Sequence, residues 1–217
     1  MKAILFDMDG VIFDSERAIK ECWKEVAEKH GFGGIDEVYG QVIGVNSDFA
    51  RQAFLDFYGE GFDYDELVKE RRELYFSRYS DGKLPLKPGV FELLGWLKDS
   101  GWTAVIASST RTVVVRRQIE DAGLLPYLAS IYGGDFVSRS KPAPDIFLKA
   151  AEAFGDFPRE EIFVVEDSHN GIRAAHAAGM IPIMVPDMLP ATGEMKEKAR
   201  VILPDLFAVR DWLKELK

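Results

Sequence analysis

The sequence predicts an α/β fold: a Rossmann-like, doubly wound, mainly parallel sheet interrupted by an all-helical insertion. Three observations predict it. Short β-branched or apolar runs recur along the chain, most of them separated by segments whose apolar residues follow helical spacing. These runs are apolar on both faces, as strands covered by helices on either side must be. One region, from about Ser15 to Asp81, holds helical patterns and no convincing strand.

The first run, Ala3 to Phe6, leads into Asp7-Met8-Asp9-Gly10. In an extended strand, side chains at i and i+2 point to the same side, so Asp7 and Asp9 are expected to start out facing one space. Gly10 lets the chain bend away. Adjacent carboxylates repel, and the repulsion is tolerable when a hard cation lies between them or when one holds a proton. A polar strand end capped by a turn is the simpler alternative, and other parts of the sequence must decide.

From Ser15 to Asp81 three amphipathic patterns follow: Ala18, Ile19, Cys22, Trp23, Val26 and Ala27; then Phe49, Ala50, Ala53, Phe54 and Phe57; then Tyr64, Leu67, Val68, Leu74 and Tyr75. Glycines punctuate them. The expected division is therefore an α/β core over residues 1–14 and 82–217, and a helical bundle of the four-helix type over 15–81, inserted after the first strand. Val90, Phe91, Leu94 and Leu97 then mark a helix after Pro88, and Thr103 to Ala107 the second strand. Ile146, Phe147, Ala150, Ala151 and Phe154 form another apolar face, ended by Gly155. Ile162 to Val165, Ile181 to Val185 and Val201 to Leu203 are further strands, and Ala174, Ala175 and Ala178 mark a helix packed closely on the sheet.

Composition bounds the function. The 217 residues can bury a full core, and 47% apolar content with charges of both signs is ordinary for a globular protein. A net charge of −9 without a Lys/Arg run argues against a nucleic-acid or anionic-membrane surface. Cys22 is the only cysteine, which excludes an internal disulfide or a cysteine-based zinc site. With no signal-peptide pattern and no run long enough to span a bilayer, a cytoplasmic protein is expected.

In open α/β sheets ligands sit at the carboxyl ends of the strands. Asp7 and Asp9 follow the first run, Ser108, Ser109 and Thr110 the second, and Glu166, Asp167 and Ser168 the run from Ile162. Lys141 lies in the stiff loop Ser140-Lys141-Pro142-Ala143-Pro144-Asp145, just ahead of a helix. Asp7, Asp9 and Asp167 offer hard oxygen ligands suited to Mg²⁺. Ser108 and nearby backbone N–H groups could hold phosphate oxygens, and Lys141 could offset the crowded negative charge. A carboxylate can also act as the nucleophile in phosphoryl transfer, with a second one moving protons. Taken singly, each residue reads as a turn, a helix cap or a solvated charge. Their joint occurrence at the ends of separate strands is what points to a site.

Asp7-Met8-Asp9-Gly10-Val11-Ile12-Phe13-Asp14-Ser15, Ala107-Ser108-Ser109, Ser140-Lys141-Pro142-Ala143-Pro144-Asp145 and Glu166-Asp167-Ser168-His169-Asn170-Gly171 resemble, in order, the four motifs of the haloacid dehalogenase (HAD) superfamily. The resemblance is closest to its sugar-phosphate phosphatase and β-phosphoglucomutase-like branch, in which the helical insertion is a cap. It implies Asp7 as nucleophile and Asp9 as general acid and then base. It implies that Ser108, Ser109 and Lys141 bind the phosphoryl group, with Lys141 also steadying Asp7. Mg²⁺ would be held by Asp7, Asp167 and the Asp9 backbone carbonyl, with Glu166 behind them. The cap would close over the site and choose the substrate, a small phosphorylated metabolite.

Three alternatives remain at this level. Haloacid dehalogenases need neither Asp9 nor the acidic pair at 166–167. The mutase branch carries a His and a cap-loop Arg where this sequence has Ile19 and Ser47. Phosphoacceptor receiver domains share an Asp, acidic metal ligands, a hydroxyl and a Lys, but in reversed order and without a helical lid. Arg51, Arg71 and Arg72 could grip substrate but read as solvated helix charges. The sequence does not indicate the oligomeric state or the identity of the substrate.

Overall fold

The computed structural model describes residues 2–43, 47–59 and 61–216, with the Ser47 side chain left out. The chain divides into two compact units, Met1–Asp14 with Pro85–Lys217, and Ser15–Leu84. The return from the insertion falls at Leu84–Pro85, later than the expected 81/82. The reason lies in the backbone: Asp14 N–H donates to Pro85 O at 2.8 Å and Lys87 N–H donates to Ile12 O at 2.9 Å. Pro85 and Lys87 are thereby already tied to the chain that leaves the first strand.

The larger unit carries six parallel strands: β1 (Lys2–Phe6), β2 (Trp102–Ala107), β3 (Ser130–Tyr132), β4 (Ile162–Glu166), β5 (Ile181–Met184) and β6 (Val201–Ile202), in the order β3-β2-β1-β4-β5-β6. The strand order reverses between β1 and β4, the place where doubly wound sheets hold ligands. Helices cover both faces. Ala3, Leu5, Val105, Ala107, Ile162 and Val164 pack against Ile146, Phe147 and Ala150 of α7 (Asp145–Ala151) and against Ala174 and Ala175 of α8 (His169–Ala177). Small alanines let α8 approach the sheet closely. The alternate residues face the other way. Trp102 meets Trp96 of α5 (Val90–Asp99) at 6.3 Å between ring centroids, and Phe163 meets Trp212 of α10 (Leu206–Glu215) at 6.0 Å. Helices α6 (Thr112–Asp121) and α9 (Gly193–Lys198) complete this unit.

The smaller unit contains α1 (Ser15–Lys29), α2 (Ile35–Val42), α3 (Ser47–Tyr58) and α4 (Tyr64–Tyr79). Its interior is aromatic. Trp23 stacks on Phe54 at 4.6 Å and Tyr58 on Phe62 at 4.5 Å, with Phe32 edge-on to Phe62 at 4.9 Å. Large rings give a short helical bundle much buried area per residue, which a unit of this size needs. Asp63 caps α4 by accepting from Glu66 N–H at 3.1 Å. Among the described residues, no helix is long and apolar enough to cross a membrane.

Candidate active site

Parallel pairing delivers the rim residues to one place. The ladder continues one step past β1 and β2: Asp7 N–H donates to Val165 O and Ser108 N–H to Tyr132 O, both at 3.0 Å. These side chains are therefore mounted on hydrogen-bonded backbone. Among the described residues, the buried polar or charged ones are Asp7, Ser15, Ser108, Glu166 and Asp167, and all but Ser15 lie at the ends of β1, β2 and β4. Burying so many polar groups together costs stability unless each is paired, which marks the rim as more than scaffold.

The two expected aspartates part company. Ile12 N–H donates to Met8 O at 2.9 Å and Gly10 adopts φ 76°, so the chain turns immediately after β1. Asp7 is held from the β4 side, where Lys141 Nζ donates to its Oδ1 at 2.5 Å and to Glu166 Oε1 at 2.7 Å. Asp9 is held from the β2 side, where Thr110 Oγ1 donates to its Oδ2 at 2.8 Å and Ser108 Oγ lies 3.5 Å from the same oxygen. Starting side by side in sequence, the two carboxylates end in different electrostatic surroundings.

Around Lys141 one ammonium faces an excess of carboxylates. Burial, with Glu166 and Asp9 nearby, pushes Asp7 up to about 7, even though the charge of Lys141 pulls the other way. Burial alone would lower Lys141, but Asp7 and Glu166 more than reverse it and hold Lys141 above its ordinary value. The rise of Lys141 comes from its two carboxylates and that of Asp7 chiefly from burial, and a cation beside Asp7 would favour its charged form.

The donors suit such a cation. Asp7, Glu166 and Asp167 each offer a carboxylate oxygen, all within 4.8 Å of one another. Gly10 makes room for this, since a Cβ there would lie 2.3 Å from Asp167 Oδ2. Both oxygens of Glu166 are already engaged. Lys141 takes its Oε1, while Ser168 N–H and Oγ–H donate to Oε2 at 2.9 and 3.0 Å. Asp7 and Asp167 are thus better candidates for direct ligation, with Glu166 fixing Lys141 and the turn into α8. An all-oxygen set of carboxylates fits a hard divalent ion.

Several residues differ from expectation or carry roles the sequence did not reveal. Ser109 is exposed, while Ser108 is fully buried and accepts from Thr110 N–H at 3.0 Å. Thr110 stood in the rim without a role until its contact with Asp9 gave it one. Lys87 Nζ donates to Asp187 Oδ1 at 2.6 Å and lies 3.7 Å from Asp14 Oδ1, joining residues far apart in sequence. In the helical unit Arg51 pairs with Asp65 at 2.9 Å on the surface. Arg71 is no solvated charge: it lies 5.7 Å from the Trp23 ring centroid, its Nε is buried without a partner, and burial holds it below its ordinary value. Ile19 is on α1, whereas Gly44-Val45-Asn46 and the Ser47 side chain, where a mutase Arg was sought, lie outside the described residues.

Comparison with known proteins agrees with this geometry. The model of the haloacid dehalogenase-like hydrolases matches residues 1–179. YhcW of Bacillus subtilis is 35% identical over 88% of this chain and 86% of its own length. A phosphorylated carbohydrates phosphatase of Thermotoga maritima is 30% identical over 83% of this chain and 82% of its own. Among solved structures, a HAD family hydrolase from Deinococcus radiodurans R1 with bound phosphate and sodium superposes with a TM-score of 0.82 at 25% identity, over 99% of this chain and 96% of that one. The chain belongs to the haloacid dehalogenase-like hydrolases and is an enzyme of their phosphatase branch.

Proposed function

We propose that the protein is a Mg²⁺-dependent phosphomonoesterase that acts on a small phosphorylated metabolite, a sugar phosphate, through an aspartyl-phosphate intermediate. The observation that carries this is the separation of Asp7 from Asp9. One carboxylate is buried against Lys141 at 2.5 Å, while the other is held by a neutral hydroxyl at 2.8 Å. Two acids in unlike environments can take unlike roles.

Asp7 attacks phosphorus; as its new bond to phosphorus forms, the bond to the leaving alcohol breaks and Asp9 protonates the departing oxygen. Water then attacks the phosphorus of the aspartyl-phosphate, Asp9 takes its proton, and Asp7 is released as a carboxylate. Lys141 and Ser108 are suited to the phosphoryl oxygens, Lys141 by charge and Ser108 by its buried hydroxyl. Asp7, Asp167 and the Asp9 carbonyl would hold Mg²⁺, which when bound supplies positive charge against the phosphoryl oxygens. The sugar phosphate is supported by the Thermotoga maritima relative, a phosphatase of phosphorylated carbohydrates. We assign the residues 15–84 unit the role of a cap that selects the substrate, as in the family it resembles.

The test is phosphate release from a panel of sugar and nucleotide phosphates with Mg²⁺, run beside Asp9→Asn. Turnover of at least one sugar phosphate, abolished in the variant, is the expected result. Release from none of the panel sinks the proposal, and full activity of Asp9→Asn overturns the acid/base assignment. Conversion of a glucose 1-phosphate to glucose 6-phosphate would instead identify a mutase.

A further inference from the structure

Thr110 stands at the centre of an unusually well-fixed loop. Its N–H donates to Ser108 Oγ at 3.0 Å, and its carbonyl accepts from Gly134 N–H at 2.9 Å. Just beyond it, Thr112 N–H and Oγ1–H both donate to Asp135 Oδ1, at 2.6 and 2.7 Å. Thr112 Oγ1 accepts in turn from Gly133 N–H at 3.2 Å. The two glycines press directly on this loop. A Cβ at Gly133 would lie 2.6 Å from Thr110 O, and one at Gly134 would lie 2.2 Å from Ser109 O. The backbone carrying Thr110 is therefore gripped on both sides, and its hydroxyl is delivered to Asp9 Oδ2 at 2.8 Å by a rigid support.

A general acid has two oxygens and one proton, and only one oxygen can deliver it. An O–H donor fixed on one oxygen limits the orientations from which the carboxyl can deliver its proton. We infer that Thr110 is a positioning residue for Asp9: its hydroxyl holds Oδ2 and so fixes the orientation in which the carboxyl delivers its proton. The inference rests on the proposed acid/base role of Asp9 and deepens it. During phosphoryl transfer the bond from Asp7 to phosphorus forms and the bond from phosphorus to the leaving alcohol breaks. The proton of the Asp9 carboxyl passes to the departing oxygen, and Asp9 becomes anionic. The Thr110 bond, weak to a neutral acid, strengthens to the forming carboxylate, so it favours the transition state over the ground state. In the second half-reaction the Asp9 carboxylate accepts the proton from the attacking water.

A purely structural role for Thr110 would slow all substrates alike, whereas a role in proton delivery depends on the leaving group. p-Nitrophenolate departs without a proton, and a sugar alkoxide does not. The experiment measures kcat/KM, which reports the steps through formation of the aspartyl-phosphate. It uses p-nitrophenyl phosphate and the sugar phosphate hydrolysed fastest in the panel, for wild type, Thr110→Val, Thr110→Ala, Thr110→Ser and Asp9→Asn. We expect Thr110→Val and Thr110→Ala to lose about tenfold or more with the sugar phosphate and less than about threefold with p-nitrophenyl phosphate, with Thr110→Ser close to wild type on both. Two deletion variants are used so that misfolding of one leaves the other to read. Equal losses on both substrates, no loss on the sugar phosphate, or a Thr110→Ser variant as impaired as Thr110→Val would overturn the inference. Asp9→Asn separates the two levels. If it hydrolyses the sugar phosphate normally, the acid/base assignment itself is wrong. If it fails while the Thr110 variants do not, only the role of Thr110 falls.

Discussion

The two units differ in where their ionic clusters lie. In the helical unit the ion pairs lie outside and the interior is rings: Arg51 with Asp65, Arg78 with Glu25, and Lys20 and Lys24 with Asp36 surround a core of Trp23, Phe54 and Phe62. In the α/β unit Asp7, Glu166 and Lys141 are buried together at the ends of β1 and β4. A buried ionic cluster rarely improves on a packed apolar one of the same volume, because desolvation offsets the attraction. The helical unit is thus arranged for stability, and the rim of the sheet keeps a costly arrangement that chemistry requires. Substitutions in the two units should consequently move activity and stability in different directions.

The largest contrast is expected at Asp7. Asp7→Asn removes the proposed nucleophile and should lower kcat by at least about a thousandfold with any substrate the wild type hydrolyses. Retention of more than a few per cent of the rate, in protein free of wild-type contamination, would show that the rim does not work as described. In the helical unit Trp23→Ala should leave no such chemical defect in the folded fraction. It should instead cost about 3–5 kcal/mol of stability, read by denaturant unfolding, because it empties the stack against Phe54.

The next effect is smaller and has a sign that distinguishes the two regions. Asp7 ionises near 3.8 when unfolded and near 7 in the folded, metal-free protein, so between those values the folded state binds the additional proton. Wild-type stability contributed by this group is intact below the lower value and falls as the pH rises through the window. Asn does not titrate. With chelator present, Asp7→Asn should therefore melt a few degrees higher than wild type at about pH 8, with a smaller advantage at about pH 5. A variant that melts lower than wild type at the higher pH would mean that Asp7 stabilises the rim and that the contrast between the units is mistaken. The smallest effect belongs to the exposed pair: Arg51→Ala should change stability by less than about 1 kcal/mol, and added salt should erase the change.

Much of this arrangement could be read from the sequence, for physical reasons that also explain the gaps. Strands β1, β2, β4 and β5 lie in the sheet between covering helices, so their apolar runs are continuous and visible. β3 is three residues long with only Ile131 buried, and Leu128 to Tyr132 offers too little contrast to stand out. Helix α2 buries only Ile35, Val38 and Tyr39, a stretch shorter than the two turns that periodicity needs. Asp7, Ser108 and Asp167 are legible as rim residues because each follows a strand run, and Lys141 because prolines stiffen its loop, which local sequence records. The pairing of Thr110 with Asp9 is not, since it depends on how two loops turn after parallel neighbours. Nor could the sequence tell Arg71 from Arg72 as the guanidinium against Trp23, because neighbouring positions on a helix differ by rotation alone.

The central position of β1 has a consequence for how the molecule comes to life. Lys141 reaches Asp7 across 134 residues of chain, and Thr110 reaches Asp9 across 101. Glu166 with Ser168 and Ser108 with Thr110 are local, but the contacts of Lys141 and Thr110 with the two aspartates are not, so loop closure must be completed on both sides of β1 before the proposed catalytic geometry exists. A folding intermediate with well-formed helices but unpaired β4 would be inert, and recovery of activity should trail recovery of helical signal during refolding. The catalytic rim thereby serves as a built-in reporter of complete folding.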